Sequence, residues 1–445
     1  MKFHIITLGC QMNVADGDWL ARSLTASGYV AAPESEADIF ILLTCSVREK
    51  PELKVASILG RLAEHRLHRP AAFVAVGGCV AQQHGPALWR RFPMVRLVFG
   101  ADGIQAAPRA ILRLAEEPGA RLSLLDFTTT YPERDQAWPA DRVPPRAFVT
   151  IMQGCDNYCA YCIVPFVRGR QKSRSRQAIL AECRELAGRG VREVTLLGQN
   201  VNSYGQDASG DGTSFADLLA DVAAIPGIAR LRFTTSHPKD LSDALIARFA
   251  DTSALCPALH LPVQSGSDAV LARMGRGYTA ADYRSLVEKL RRARPGIALS
   301  TDLIVGFPGE TEADFRQTLD LVREVGFDTG FSFMYGDRPG TASENMAPKI
   351  SQEEKAHRLA ELQSLLDERL AASLAAQVGA RSPVLVEGQS RRAASGPGWT
   401  GRDPGGRIVN LRLADGLDHT GRIVTARIVQ AKKHSLIGEA EADHG

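Results

Sequence analysis

At 445 residues the chain is long enough for two or three domains, each with its own core. Its 44% hydrophobic and 23% charged residues are ordinary for a soluble globular protein, and a formal charge of +3 excludes a uniformly basic surface, so any polyanion-binding patch has to be local. No apolar run approaches membrane-spanning length, the opening Met1 to Cys10 is too short for a signal peptide, and eight cysteines without an export signal favour metal binding in a reducing compartment, with the cytoplasm as the expected location.

The first segment alternates strand and helix patterns. Strands are predicted over Phe3 to Leu8, Asp38 to Thr44 and Ala71 to Gly77. Helical spacing runs over Gly17 to Ser27 and Lys50 to His65, the latter with Val55, Ile58, Leu59 and Leu62 on one face. This is a small α/β domain with a parallel sheet, expected over 1–125. Cys10, Cys45 and Cys79 each fall just past one of these strands, where open α/β sheets gather ligands. They are either three packed thiols or one metal-binding set.

A polar, proline-bearing stretch, Thr128 to Arg146, reads as a linker, bounded here at 126–146. Six strand–helix units follow, from the strand Ala147 to Met152 to the strand Thr329 to Tyr335, and predict a partial or complete β/α barrel over 147–376. Ser351 to Ala376 is a long amphipathic helix. Beyond it, short strand-like runs at Ser382 to Glu387, Ile408 to Leu413 and Gly421 to Ile428 predict a small all-β barrel over 377–441. With ten Arg and Lys against seven Asp and Glu from Gln377 onward, that barrel suits a nucleic-acid clamp, or else a packing module.

The chemistry concentrates after the first barrel strand, in Gly154-Cys155-Asp156-Asn157-Tyr158-Cys159-Ala160-Tyr161-Cys162. Three thiolates are one short of a closed structural zinc site. On a four-iron cluster, three leave one iron open to a ligand; the alternative is a zinc knuckle completed by His237 or His260. Directly downstream, Val167 to Arg176 carries five cations and no acid, which makes Arg168, Arg170, Lys172 and Arg174 candidate RNA contacts at the barrel mouth. Neither histidine is nominated as a catalytic base. Cys183 and Cys256 read as core.

Cys155-x3-Cys159-x2-Cys162 before a β/α repeat resembles the radical S-adenosylmethionine superfamily, and the wider sequence resembles its methylthiotransferases. The segments carrying that resemblance are Gly9-Cys10-Gln11-Met12-Asn13, Thr44-Cys45-Ser46-Val47-Arg48-Glu49-Lys50, Gly78-Cys79-Val80-Ala81-Gln82-Gln83, Gly198 to Tyr204 and Leu261 to Ser267. The first two segments and Leu197 to Asn202 are most similar to the branch acting on dimethylallyladenosine in tRNA, and less to those acting on threonylcarbamoyladenosine or a ribosomal-protein aspartate. Gly17-Asp18 and Ser175 depart from the usual pattern without touching a cysteine. The resemblance implies a radical enzyme with two 4Fe-4S clusters and S-adenosylmethionine. Cys155, Cys159 and Cys162 would hold the cluster that binds S-adenosylmethionine, and Cys10, Cys45 and Cys79 an auxiliary cluster that carries sulfur. No catalytic side chain beyond the cluster ligands is implied. The terminal barrel is similar to the RNA-binding TRAM module. Expected partners are tRNA carrying N6-dimethylallyladenosine, an electron donor and a sulfur source, with no membrane and with the chain acting as a monomer. A zinc-stabilised RNA-binding protein without catalysis is the alternative of a different class.

Overall fold

Six parallel strands form the amino-terminal sheet, in the order Val30–Ala31, Lys2–Thr7, Ile39–Thr44, Phe73–Gly78, Val95–Phe99 and Leu122–Leu124. The computed structural model describes residues 1–46, 49–134, 144–390, 398–413 and 417–441; Val47, Arg48 and residues 135–143 of the expected linker lie outside them. Ile39–Thr44 and Phe73–Gly78 are buried along their whole length, as continuous apolar runs are at the centre of a parallel sheet covered on both faces. One face packs Trp19, Leu20, Leu24 and Ile111 from two helices. The other packs Val55, Leu59 and Leu62 from helix Glu49–His68. The first helix runs Gln11–Ala26, so it starts before the predicted Gly17. Gly17 lies inside it, and a Cβ there would stand 3.0 Å from Thr7 Oγ1, so the glycine lets the helix lie close on the sheet.

The central domain is a partial β/α barrel made of two three-stranded parallel sheets. Arg230–Phe233, Glu193–Leu197 and Arg146–Thr150 form one; Ala258–His260, Ala298–Val305 and Thr329–Met334 form the other. A single parallel bridge, Leu231 to Leu255, joins them. The helices that follow the strands cover the outer face, and one contiguous core includes Ile179, Leu219, Phe249, Leu290 and Phe315. Two of these helices start with capping boxes, Thr279 with Asp282 and Thr311 with Asp314. Ser175 caps helix Arg176–Gly188 by accepting from the Ala178 N–H. The first barrel strand breaks earlier than predicted: Met152–Gln153 leaves the barrel ladder and pairs antiparallel with Lys172–Ser173. That short ribbon folds the basic run back against the strand it follows.

After helix Gln352–Ala375 the chain closes a barrel of five strands, Arg381–Gln389, Gly398–Arg402, Ile408–Arg412, Leu436–Ala440 and Ile423–Ala431. Its interior packs Val384, Val386, Trp399, Leu411 and Ile428. It docks at the amino ends of the central strands, the end opposite the cysteine loop. The dock is a charge cluster. Glu193, fully buried, faces Arg146 on one neighbouring strand at 2.7 Å and Arg232 on the other at 3.2 Å. Arg146 continues to Glu387 at 2.8 Å, Arg230 Nη1 donates to Arg402 O at 2.7 Å, and Arg232 Nη2 donates to Asp403 O at 2.9 Å. Among the described residues no helix is long and apolar enough to cross a membrane.

Burial alone would raise the Glu193 carboxyl, but Arg232 and Arg146 hold it below its ordinary value of 4.5. A depressed carboxylate stabilises the fold above its unfolded value, and that contribution is lost as pH falls through the folded value. Glu193→Gln leaves three guanidinium groups around a neutral amide and should cost about 3–5 kcal/mol at pH 7 in urea unfolding. The gap between the two proteins should narrow below about pH 4.5. A gap that stays constant down to pH 3 would contradict the charge account.

Candidate functional site

Two strand-end glycines let the loops that carry Cys10, Cys45 and Cys79 approach one another. Gly9 has φ +99°, and a Cβ on it would lie 2.1 Å from Cys45 Cβ. Gly78 has φ +90°, and its Cβ would strike the Thr44 carbonyl oxygen at 2.5 Å. Neither position has room for a side chain, and neither conformation suits one. Asn13 then pins the loops together, its Nδ2 donating to Leu8 O at 2.6 Å and to Thr44 O at 2.9 Å. Thr44 Oγ1 donates to Gly77 O at 2.6 Å and accepts from the Val80 N–H at 3.2 Å, which fixes the turn into Cys79. A hydrogen bond from Cys45 brings the Cys10 thiol down to about 6 against the cost of burial, with Arg168 adding to the effect.

The second triad lies on a loop that leaves the barrel at Gly154. That glycine has φ +79°, and a Cβ would sit 2.0 Å from Arg170 O. Its N–H donates to Gln199 Oε1 at 2.6 Å. The Ala160 N–H donates to Met274 O at 2.8 Å and the Cys162 N–H to Cys159 O at 2.9 Å, closing a tight turn. Arg276, buried, places Nη1 3.3 Å from Cys159 Sγ and is anchored by Nη2 to Pro262 O at 2.9 Å. His237 Nε2 lies 3.9 Å from the same sulfur, and its Nδ1 accepts from the Lys239 N–H at 3.2 Å. Burial, then Arg276 and Lys239, push His237 down to about 2, so its ring is neutral. Burial pushes Cys155 up to about 11 and Cys162 up to about 12, so both thiols release protons when they bind a metal.

The rim of the barrel carries features that periodicity cannot reveal. Tyr158, Thr235 and Gln264 are the non-glycine residues with positive φ among the described residues, and all three stand at strand ends or in the cysteine loop. Asn200 Oδ1, Asn202 Oδ1 and Ser236 Oγ are buried there without hydrogen-bond partners. Orphaned acceptors beside a three-cysteine loop fit a polar ligand that carries an ammonium group and hydroxyls. Among the described residues no three His, Cys, Asp or Glu side chains close around the position of one ion. Three thiols on one loop past a strand end, with no fourth cysteine beside them in that loop, are a donor set that would suit a four-iron cluster with one open iron. His260 has its ring nitrogens 3.0 Å from Ser300 Oγ and 3.4 Å from Asp302.

The basic run requires a correction. Expected at the barrel mouth facing RNA, Arg168, Lys172 and Arg174 are instead buried. Lys172 Nζ meets Asp102 of the amino-terminal domain at 2.5 Å. Arg174 pairs with Glu182 at 2.7 Å and Glu133 at 3.0 Å and donates to Thr150 O. Arg168 Nη2 donates to Asn13 Oδ1 at 3.2 Å. Only Arg170 of the four is exposed, and it pairs with Asp156 at 2.7 Å. A desolvated guanidinium or ammonium needs a partner, and the amino-terminal domain and the barrel supply them. Cys183 and Cys256 are core residues, with burial pushing Cys183 up to about 12.

A cysteine triad at the carboxyl end of a partial β/α barrel, facing a second domain, defines a radical S-adenosylmethionine protein. Residues 149–322 match the Radical SAM superfamily, 2–100 the uncharacterized protein family UPF0004 and 375–440 the TRAM domain. The chain is 56% identical over 438 residues to the tRNA-2-methylthio-N(6)-dimethylallyladenosine synthase of Nitratidesulfovibrio vulgaris, with 98% of each chain covered. It is 49% identical over 449 residues to the protein of that name from Lawsonia intracellularis, again with 98% of each covered. With that of Geobacter metallireducens the identity is 47% over 443 residues, covering 98% of this chain and 97% of the relative. The chain belongs to the tRNA-2-methylthio-N(6)-dimethylallyladenosine synthase family. A solved radical S-adenosylmethionine methyltransferase, TsrM from Kitasatospora setae, shares the fold at TM-score 0.56 and 15% identity, over 89% of this chain and 79% of its own.

Gly154→Ala should lower stability by more than Gly28→Ala, because Gly28 has a similar φ of +85° but nothing within 4 Å of its Cβ position. The Gly28 change should cost about 1 kcal/mol in urea unfolding. Equal costs would show that the close approach to Arg170 is not a constraint.

Proposed function

We propose that the protein converts N6-dimethylallyladenosine in tRNA to its 2-methylthio derivative, replacing C2–H by C2–SCH3. What supports this reading is a set of three cysteines past strand ends in each of two domains that meet through Arg168 and Asn13, in a chain whose family bears that activity in its name. In this reading Cys155, Cys159 and Cys162 hold a 4Fe-4S cluster and S-adenosylmethionine. Cys10, Cys45 and Cys79 hold a second cluster. The clusters and S-adenosylmethionine supply one-electron C–S cleavage, hydrogen removal from C2 and the methylthio group, chemistry that no side chain can provide.

The chain's own groups bind and shield. Asn200, Asn202 and Ser236 offer their unpartnered oxygens to the ammonium and ribose hydroxyls of S-adenosylmethionine. Arg276 donates to the Cys159 sulfur, and neutral His237 stands beside it. Domain limits of 1–125, 126–146, 147–376 and 377–441 divide these tasks into sulfur supply, linkage, radical formation and RNA binding. The TRAM-type barrel sits at the amino ends of the central strands, so the tRNA would be held away from the reacting base as well as at it. Cellular placement in the cytoplasm, an external electron donor, a sulfur source and a monomeric chain complete the reading.

Anaerobic reconstitution should load about eight iron per chain, and Cys10→Ala/Cys45→Ala/Cys79→Ala should lower that to about four. The reconstituted protein with S-adenosylmethionine, a reductant and sulfide should then add the 2-methylthio group to tRNA from cells lacking the enzyme, as read by nucleoside mass spectrometry. Stoichiometric zinc without iron, or tRNA left unaltered by fully loaded protein, would contradict the proposal.

A further inference from the structure

The basic run holds one cation whose partner set is incomplete. Arg168 ends the short helix Val164–Arg168, which starts two residues after Cys162. That helix packs on the one beginning at Cys79, and Cys79, Ile163 and Val167 form a single buried cluster. The guanidinium, only 3% exposed, therefore belongs to the radical-cluster segment but projects into the other domain's cysteine site. Its Nη2 holds Asn13, the residue that ties together the loops of Cys10 and Cys45. Among the described residues its buried Nη1 has no nitrogen or oxygen partner. The nearby carboxylate, Asp16, is already paired with Arg134 at 2.8 Å. The sulfur of Cys79, within hydrogen-bonding reach of the guanidinium, and that of Cys10 lie beside it.

We propose that Arg168 is a positioning residue for the auxiliary cluster, its free Nη1–H donating to the sulfur shell held by Cys10, Cys45 and Cys79. This rests on the two-cluster reading and adds a role to one residue within it. A fixed cation beside the cluster favours the state that carries one more electron, because reduction adds negative charge in a desolvated site. Hydrogen bonds to cluster sulfurs act in the same direction. Arg168 thereby makes the auxiliary cluster easier to reduce. It also ties that cluster to the loop carrying the radical cluster.

The test uses the full chain in the Cys155→Ala/Cys159→Ala/Cys162→Ala background, so that only the auxiliary cluster is present, with a redox titration followed by electron paramagnetic resonance. In that background, Arg168→Gln should make reduction about tenfold less favourable, a fall of about 59 mV for one electron. Arg168→Lys, which keeps the charge, should recover most of the shift. A loaded Arg168→Gln protein with the parent potential would overturn the proposal, as would Arg168→Lys shifting as far as Arg168→Gln. If Arg168→Gln does not load, Arg168→Lys decides: parent-like loading and potential support the role, and a failure to load overturns the charge argument. A parent protein that itself binds no iron would sink the two-cluster reading, a separate outcome.

Discussion

A buried ion pair across a domain boundary organises the molecule. Lys172 and Asp102 are each 2% exposed at the side chain, and they come from domains that the sequence separates by a long linker. Asp102 is fully engaged: it also accepts from Gln153 Nε2 and from the Thr128 N–H, while Lys172 donates further to Thr128 O. Such a pair gains little over a well-packed apolar contact, but it tolerates few alternative arrangements. The observed placement of the domains satisfies both charges. That placement turns the carboxyl ends of the amino-terminal strands toward the carboxyl ends of the barrel strands, with Met12 reaching Thr150 and Arg168 reaching Asn13. The two cysteine-bearing ends thus meet through paired polar groups and through the buried contact of Cys79 with Ile163 and Val167.

The opposite end of the barrel obeys the same rule with the charges reversed. There a buried carboxylate, Glu193, collects arginines from both neighbouring strands, and those arginines hand their remaining donors to the terminal barrel. Cations buried at the carboxyl end and an anion buried at the amino end thus attach one domain to each pole. At the amino-terminal side apolar packing joins in, where Ile163 and Val167 of the radical domain are buried with Cys79.

Much of this was legible in the sequence. The strand at Ala298–Val305 and the helix at Glu312–Val325 lie where the strand–helix alternation puts them, and Cys10, Cys45, Cys79, Cys155, Cys159 and Cys162 fall just past strand ends. The failures share a physical cause. A run of five cations reads as a solvated face because its partners are distant: Asp102 is 70 residues from Lys172, and Asn13 is 155 from Arg168. The strands Val95–Phe99 and Leu122–Leu124 escaped notice, the second because only three residues pair at the sheet edge. Gly398–Arg402 carries two glycines and Leu436–Ala440 another, so strand propensity is weak where barrel closure supplies the order. The orphaned oxygens of Asn200, Asn202 and Ser236 had no sequence signal beyond polar residues at strand ends.

The central claim is that the Lys172–Asp102 pair sets the placement of the two triads, and a double-mutant cycle tests it most directly. Lys172→Met and Asp102→Asn should each destabilise the apo chain by about 3–5 kcal/mol in urea unfolding. The double variant should recover part of that loss, giving a coupling energy of about 2 kcal/mol or more. Strictly additive losses would contradict the account, because they would mean that the two charges do not depend on one another.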